Sequence, residues 1–232
     1  MVTKFRLVCA TRVTREQFPT QTALGRSLAL FRYGDVQLRL FPENAAGLPA
    51  VYNTAIREAA GAPDILVFVH DDVHLCDFFW PRRLLEALRQ FDIVGVAGNR
   101  RRVARQPAWH LTRDEKGEWV WDSRDNLSGM VGQGAGFPPQ RVVYYGEPQR
   151  EMELLDGVLL AARGERLAQR RVTFDERFGF HFYDLDFCRQ ARLAGLRLGT
   201  CALALVHESG GQSIGDPDWQ AAYAQYLAKW PD

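Results

Sequence analysis

The sequence predicts an α/β domain with a mostly parallel central sheet and helices on both faces. Two observations carry this expectation. From Lys4 to Asn99, short unbroken apolar runs, the mark of strands buried on both sides, alternate with stretches of helical period. The length of 232 residues, 47% of them apolar, also supplies enough material for one substantial core, so 1–232 is read as a single domain.

The elements follow in order. KFRLVCA (4–10) reads as a buried strand, TALGRSLALF as a helix, DVQLRLF as a second strand, and PAVYNTAIREAAGA as a helix closed by Gly61. DILVFVH is the third strand. Pro81 opens a helix that runs to Leu88, and DIVGVAGN (92–99) is a further short apolar run. Between Arg100 and Gln149 the periodicity stops. Five glycines follow Asp125, and Trp109, Trp119 and Trp121 stand among charges. This stretch is read as a loop-rich insertion of about 100–149 with hairpins at EWVWD and RVVYYG, and ordered loops of that length are usually functional. Alternation then resumes with a strand in MELLDGVLLAA, helices in ERLAQRR and DLDFCRQARLAG, a strand in LRLGTCALALVH and a terminal helix in DWQAAYAQYLAKW.

Composition narrows the function. A net charge of +1 speaks against a general nucleic-acid partner. No apolar run is long enough for a transmembrane segment and the first residues lack a signal-peptide pattern, so a cytoplasmic location is expected. The four cysteines show no CxxC spacing and read as buried thiols. There is no GxxxxGK[ST] and no GxSxG, and GQGAG (132–136) opens no first strand, so nothing here reads as a dinucleotide loop.

Ligands of open α/β sheets bind beyond the carboxyl ends of the strands. Thr11 and Arg12, the run His70, Asp71, Asp72, then Asp156, and finally His207 all fall at such places. Asp71 and Asp72 suit a hard divalent cation that also meets phosphate oxygens, or else they cap a turn. His70 and His74, with Cys76 nearby, could alternatively ligate zinc. Asp184 and Asp186 stand at a helix start, where the dipole favours acids whatever the function.

VYNTAIREAAGAPDILVFVHDDVHL, LLDGVLLAARGERL, FDERFGFHFYDLDFCRQARLAG and LVHESGG occur in the order found in GT-A glycosyltransferases of family two type. The chain most resembles the StrF-like domain associated with streptomycin biosynthesis, in which HDDV replaces the more usual DxD. The resemblance runs from about Lys4 to His207. It implies a GT-A (Rossmann-like) nucleotide-diphospho-sugar transferase fold, a nucleotide-diphosphate sugar donor, a divalent cation (Mn2+ or Mg2+), and an acceptor hydroxyl on a saccharide, a lipid-linked saccharide, a natural product or a protein. Carried over to this sequence, it implies that Asp72 and His207 hold the metal, with His70 and Asp71 beside them on the donor side. Thr11 and Arg12 would border the nucleobase, and Asn53 matches the asparagine of the usual N-x-G/A-x-x-x-A segment. Asp156 and Gly157 resemble the acceptor-side wall.

The family's EDxD base motif corresponds to Tyr183, Asp184, Leu185 and Asp186, so tyrosine replaces the glutamate while the base position, Asp184, is kept. His181 is a possible stand-in. A single displacement by this base implies inversion, and at a helix start Asp184 is expected to remain ionised at neutral pH without a raised pKa. The three tryptophans either anchor the core and loops, the commoner use of such residues, or stack on a sugar or aromatic acceptor, and an insertion that closes over the donor would act as a lid. Two other readings stand beside the transferase: a zinc- or manganese-dependent hydrolase using His70, Asp71 and His74, and a nucleotide-sugar-binding protein that has lost catalysis.

Overall fold

The computed structural model describes residues 4–31, 33–208 and 214–231. Strand β1 (Phe5–Ala10) leads through α1 (Phe18–Gln21) and α2 (Ala23–Leu30) to β2 (Val36–Phe41), and α3 (Leu48–Glu58) leads to β3 (Ile65–Val69). Local chemistry accounts for these boundaries. The Thr22 side chain accepts from the Gly25 amide and caps α2, Pro49 sits in the first turn of α3, and all five residues of β3 are buried.

Next come β4 (Val73–Leu75), α4 (Trp80–Ala87), β5 (Ile93–Gly95) and β6 (Ala97–Asn99). The central stretch holds β7 (Leu111–Arg113), β8 (Trp119–Trp121), β9 (Leu127–Gln133) and β10 (Arg141–Gly146). The last third contains β11 (Glu151–Met152), β12 (Leu154–Leu155), β13 (Leu159–Arg163), α5 (Gly164–Arg170), α6 (Tyr183–Leu193), β14 (Leu198–Thr200), β15 (Leu205–His207) and α7 (Pro217–Lys229).

Two sheets organise the chain. The first has the order β11-β14-β5-β13-β3-β1-β2, and the second runs β12-β6-β9-β15-β4 with β10 paired to β9. In the first sheet β1 is parallel to both β2 and β3, and β14 is parallel to β5, whereas β13 runs antiparallel to β3 and β5 and β11 antiparallel to β14. The sheet is therefore mixed, with parallel pairs among β1, β2 and β3 and again between β5 and β14. An unbroken apolar run reports burial on two faces and is blind to strand direction, so β13 looked the same as a parallel strand.

Three runs read as single strands are each divided between the sheets. DIVGVAGN becomes β5 and β6, MELLDGVLLAA becomes β11, β12 and β13, and LRLGTCALALVH becomes β14 and β15. The stretch expected as an insertion is also partly integral: β9 lies between β6 and β15, and most of its residues are buried. The core beneath the first sheet is strongly aromatic. Phe174 stacks on Phe187 with centroids 4.0 Å apart, and Tyr52 and Phe68 pack against Phe174 and each other.

Candidate active site

The end of β3 is pinned from several sides. The His70 amide donates to Val158, the Leu24 amide to the Asp71 carbonyl and the Glu208 amide to the Asp72 carbonyl. Because β1 and β3 are parallel with Val8 opposite Phe68, Thr11 comes level with Asp71, and its hydroxyl donates to Asp71 Oδ2 at 2.6 Å. On the other side, β15 pairs antiparallel to β4 with His207 opposite Val73. That register delivers a side chain from the far end of the chain to Asp72: His207 Nε2 lies 3.3 Å from Asp72 Oδ2. His70 Nδ1 approaches the other carboxylate oxygen at 3.9 Å.

His70, Asp72 and His207 thus form a group whose donor atoms all lie within 4.8 Å of one another. Asp72 Oδ1 tests whether a cation fits there. It is buried and has no hydrogen-bond partner, an arrangement that proteins avoid unless something else satisfies the oxygen. Burial pushes the His70 imidazole down, towards the neutral ring that can ligate a metal. Burial is the largest single influence on both members of the Asp72–His207 pair and opposes both charges, yet their mutual hydrogen bond and the attraction of the surrounding charges together outweigh it: Asp72 is held below the ordinary carboxylate range and His207 above the ordinary imidazole value.

Opposite this group stands the start of α6. Phe182, just before the helix, has φ 65°, a left-handed conformation that an L residue adopts only when its surroundings impose it. The surroundings here are aromatic: its buried ring stacks on Tyr223 and Tyr226 of α7 and packs against Trp219. This turn sets Tyr183 and Asp184 against the loop between β12 and β13. The amides of Gly157 and Leu185 donate to the two Asp184 carboxylate oxygens at 3.0 and 2.9 Å. The Tyr183 hydroxyl lies 2.8 Å from the Gly157 carbonyl and 2.8 Å from His70 Nε2.

Asp184 corrects an expectation. Burial, and next the charge of Asp156, push its carboxyl up to about 7, so a helix start does not suffice to keep it ionised here. The dipole is a surface-scale effect of at most ~2 kcal/mol, and enclosure of a carboxylate outweighs it.

The two groups face one cavity of about 480 Å³, lined by His70, Asp72, His207, Asp156 and Asp184. A second cavity of about 740 Å³ adjoins it along Phe180 and His181 and is bordered by Thr11, Arg12 and Asp71. The adjacent acids of HDD therefore serve different spaces, Asp72 the first and Asp71 the second.

Residues 36–208 match the family described as a glycosyltransferase-like family. The chain belongs to the glycosyltransferase-like family. Solved structures agree on architecture. GalNAc-T7 with UDP, GalNAc and Mn2+ aligns over 100% of this chain and 48% of its own, at 13% identity and a TM-score of 0.55. TarS from S. aureus aligns over 97% of this chain and 39% of its own, at 13% identity and a TM-score of 0.51. This glycosyltransferase-like chain thus has the GT-A fold and spans less than half the length of either of these two proteins. No curated protein matches it. Among its described residues no helix is long and apolar enough to cross a membrane.

Several residues of this glycosyltransferase-like chain stand elsewhere than expected. Asn53 lines neither cavity. It lies on the buried face of α3, where its amide nitrogen donates to Phe174 and Glu176 and its oxygen accepts from the Phe174 amide. These three hydrogen bonds tie it to the segment before α6. Asn53→Ala should therefore lower stability by about 1–3 kcal/mol, read as a reduced denaturation midpoint.

His74 does not join His70 and Asp71, which removes the metal constellation of the hydrolase reading. In β4 its side chain points to the opposite face from Val73, the residue paired with His207, and it stacks on Phe137. Of the tryptophans, Trp109 is buried and donates to Asp156 Oδ2 at 3.0 Å. Trp121 lines the first cavity, stacked on Tyr145 and 55% exposed. Trp119 instead lies beneath the Arg113 guanidinium, away from both cavities. Of the LVHESGG segment, Ser209 to Gly211 lie outside the described residues.

Two residues of the cavity wall have no distinct signal in the sequence. Tyr183 shows there only as the replacement of a glutamate, because its two hydrogen bonds join residues 26 and 113 positions away. His110, half-buried on the cavity wall against Trp109 and Trp121, sits in a stretch without period that carries no signal. Gly157 has its own requirement: a Cβ there would fall 2.3 Å from the Tyr183 hydroxyl and 2.9 Å from Asp184 Cβ. Gly157→Ala should cost about 1–3 kcal/mol of stability by overpacking, measurable by chemical denaturation.

Proposed function

We propose that this protein is an inverting, metal-dependent glycosyltransferase of the hexosyltransferase type, acting as one catalytic unit, that moves a sugar from a nucleotide-diphosphate donor to an acceptor hydroxyl. One observation carries the reading: an enclosed carboxylate with a pKa near neutrality and a His-Asp-His group line the same cavity. The second cavity, bordered by Thr11, Arg12 and Asp71, suits the nucleoside, and Asp71 is held by Thr11 where a ribose hydroxyl can reach it.

A divalent cation held by Asp72, His207 and His70 would neutralise charge on the departing diphosphate. Two imidazoles beside one carboxylate favour Mn2+ over Mg2+, which prefers an all-oxygen shell. Mn2+ and UDP accompany the GalNAc-T7 structure, which makes both the first probes to try.

The chain's own part is positioning and proton transfer. Asp184, oriented by the Gly157 and Leu185 amides, takes the proton of the acceptor hydroxyl as its oxygen bonds to the anomeric carbon. The bond from that carbon to the donor phosphate oxygen breaks, and its electron pair leaves with the nucleoside diphosphate. Attack from the face opposite the leaving group inverts the centre. Trp121 on Tyr145 offers an apolar plate to the CH face of a sugar acceptor, and the buried His110 Nδ1, without a partner, offers a hydrogen bond to one of its hydroxyls.

The test is a thermal-shift screen of nucleoside diphosphates and nucleotide sugars with and without Mn2+, followed by measurement of released nucleoside diphosphate. Stabilisation by a nucleotide that strengthens with Mn2+ supports the reading. Stabilisation by no nucleotide under either condition overturns it. Nucleotide binding without any turnover for any donor favours a binding protein.

A further inference from the structure

We propose that Tyr183 is a positioning residue that locks His70 in the tautomer with a bare Nδ1 facing Asp72, and so sets the affinity of the His70–Asp72–His207 group for a divalent cation. The proposal rests on the metal-dependent reading above.

The Tyr183 hydroxyl has one hydrogen, and the Gly157 carbonyl, 2.8 Å away, can only accept. The hydrogen therefore lies on that bond. His70 Nε2, 2.8 Å from the same phenolic oxygen, must then supply a hydrogen of its own. A neutral imidazole carries one N–H, so Nδ1 is bare. Nδ1 faces Asp72 Oδ1 at 3.9 Å, and that oxygen is buried without a partner. Two acceptors that face each other at this distance make no hydrogen bond. A cation satisfies both.

The alternative tautomer is disfavoured by the surroundings. A bare Nε2 would need the phenolic hydrogen, and the Gly157 carbonyl would then lose its donor beside a tyrosine that is only 2% exposed. The close approach of Tyr183 to residue 157 depends on the missing Cβ. Gly157 also donates its amide to Asp184 Oδ2. One glycine thus connects the proton-accepting carboxylate to the metal-side imidazole through Tyr183, the position at which this chain departs from the EDxD pattern. Partners of this kind, which fix ring orientation and tautomer, typically change metal affinity 10–100-fold when removed.

Two measurements on the full chain decide the matter, and neither depends on sugar transfer. In metal-free wild-type protein labelled with 15N-histidine, nitrogen-proton correlation spectra should show His70 protonated at Nε2 and bare at Nδ1. A hydrogen on Nδ1 alone overturns the proposal. In Tyr183→Phe, Mn2+ titration followed by the electron paramagnetic resonance of the free ion should give a Kd raised about 10–100-fold, with the melting of the metal-free variant as a check on folding. A folded variant with unchanged Mn2+ affinity overturns it. If the variant does not fold, the wild-type tautomer decides. Wild-type protein that binds no Mn2+ overturns it also, whereas Mn2+ binding with no response to any nucleotide counts against the transferase reading alone.

Discussion

Asp184→Asn is expected to lower kcat by about 10²–10⁴-fold, the usual worth of a positioned general base, and to flatten the pH dependence of what remains. The carboxyl is pushed up to about 7 by burial and by Asp156. Its base form therefore appears only as pH rises through neutrality. Wild-type kcat/KM should climb about tenfold per pH unit below 7 and level off above it. Asp156→Asn removes the second cause of the shift, so the midpoint should move to lower pH while a pH-dependent limb persists. A midpoint unmoved in Asp156→Asn and a full limb in Asp184→Asn would sink the assignment.

The same group links stability to pH with a definite sign. A carboxyl whose pKa is raised by folding favours the folded state in its protonated form. That contribution is complete below the ordinary value near 4 and is lost as pH rises through about 7. The difference corresponds to on the order of 4 kcal/mol. Wild-type denaturation midpoints should thus fall between pH 4 and 7 by more than those of Asp184→Asn, as chemical denaturation across that range will show.

Asp72→Ala is expected to have the next largest effect: loss of Mn2+-dependent stabilisation and a fall in transfer of about 10³-fold or more. Charge stabilisation by a bound cation is worth several kcal/mol, and each 1.36 kcal/mol is a factor of ten in rate. In wild-type protein, Mn2+ at about a hundred times its Kd should stabilise by about 2.7 kcal/mol. Asp72 touches both histidines through different oxygens, so its removal dismantles the group, whereas Asp71→Ala should leave Mn2+ affinity largely intact and weaken nucleotide binding. Undiminished Mn2+ stabilisation in Asp72→Ala would rule out the group as the metal site.

Part of the site is legible in the sequence. Thr11 and Asp72 follow runs whose burial is encoded in a window of a few residues, and strand ends are where α/β sheets place their ligands. The helix that begins near Asp184 has its period in sequence too. Asn53 shows where such reasoning stops. The motif match concerned a residue type at a spacing, whereas the side chain's partners, Phe174 and Glu176, lie over a hundred residues away.

What the sequence by itself determined is local: the alternating elements, the buried β3, and the acids that must leave its end. Only the tertiary structure decided the rest. His207 reaches Asp72 because β15 registers on β4, and His74 is excluded because the same strand turns it to the other face. Asp184 titrates near neutrality because folding encloses it beside Asp156. Tyr183 ties the two groups together through Gly157. Hydrophobic period depends on neighbours three or four residues apart and survives in the sequence. Register, enclosure and tautomer depend on which distant atoms meet, and those meetings exist only once the chain has folded.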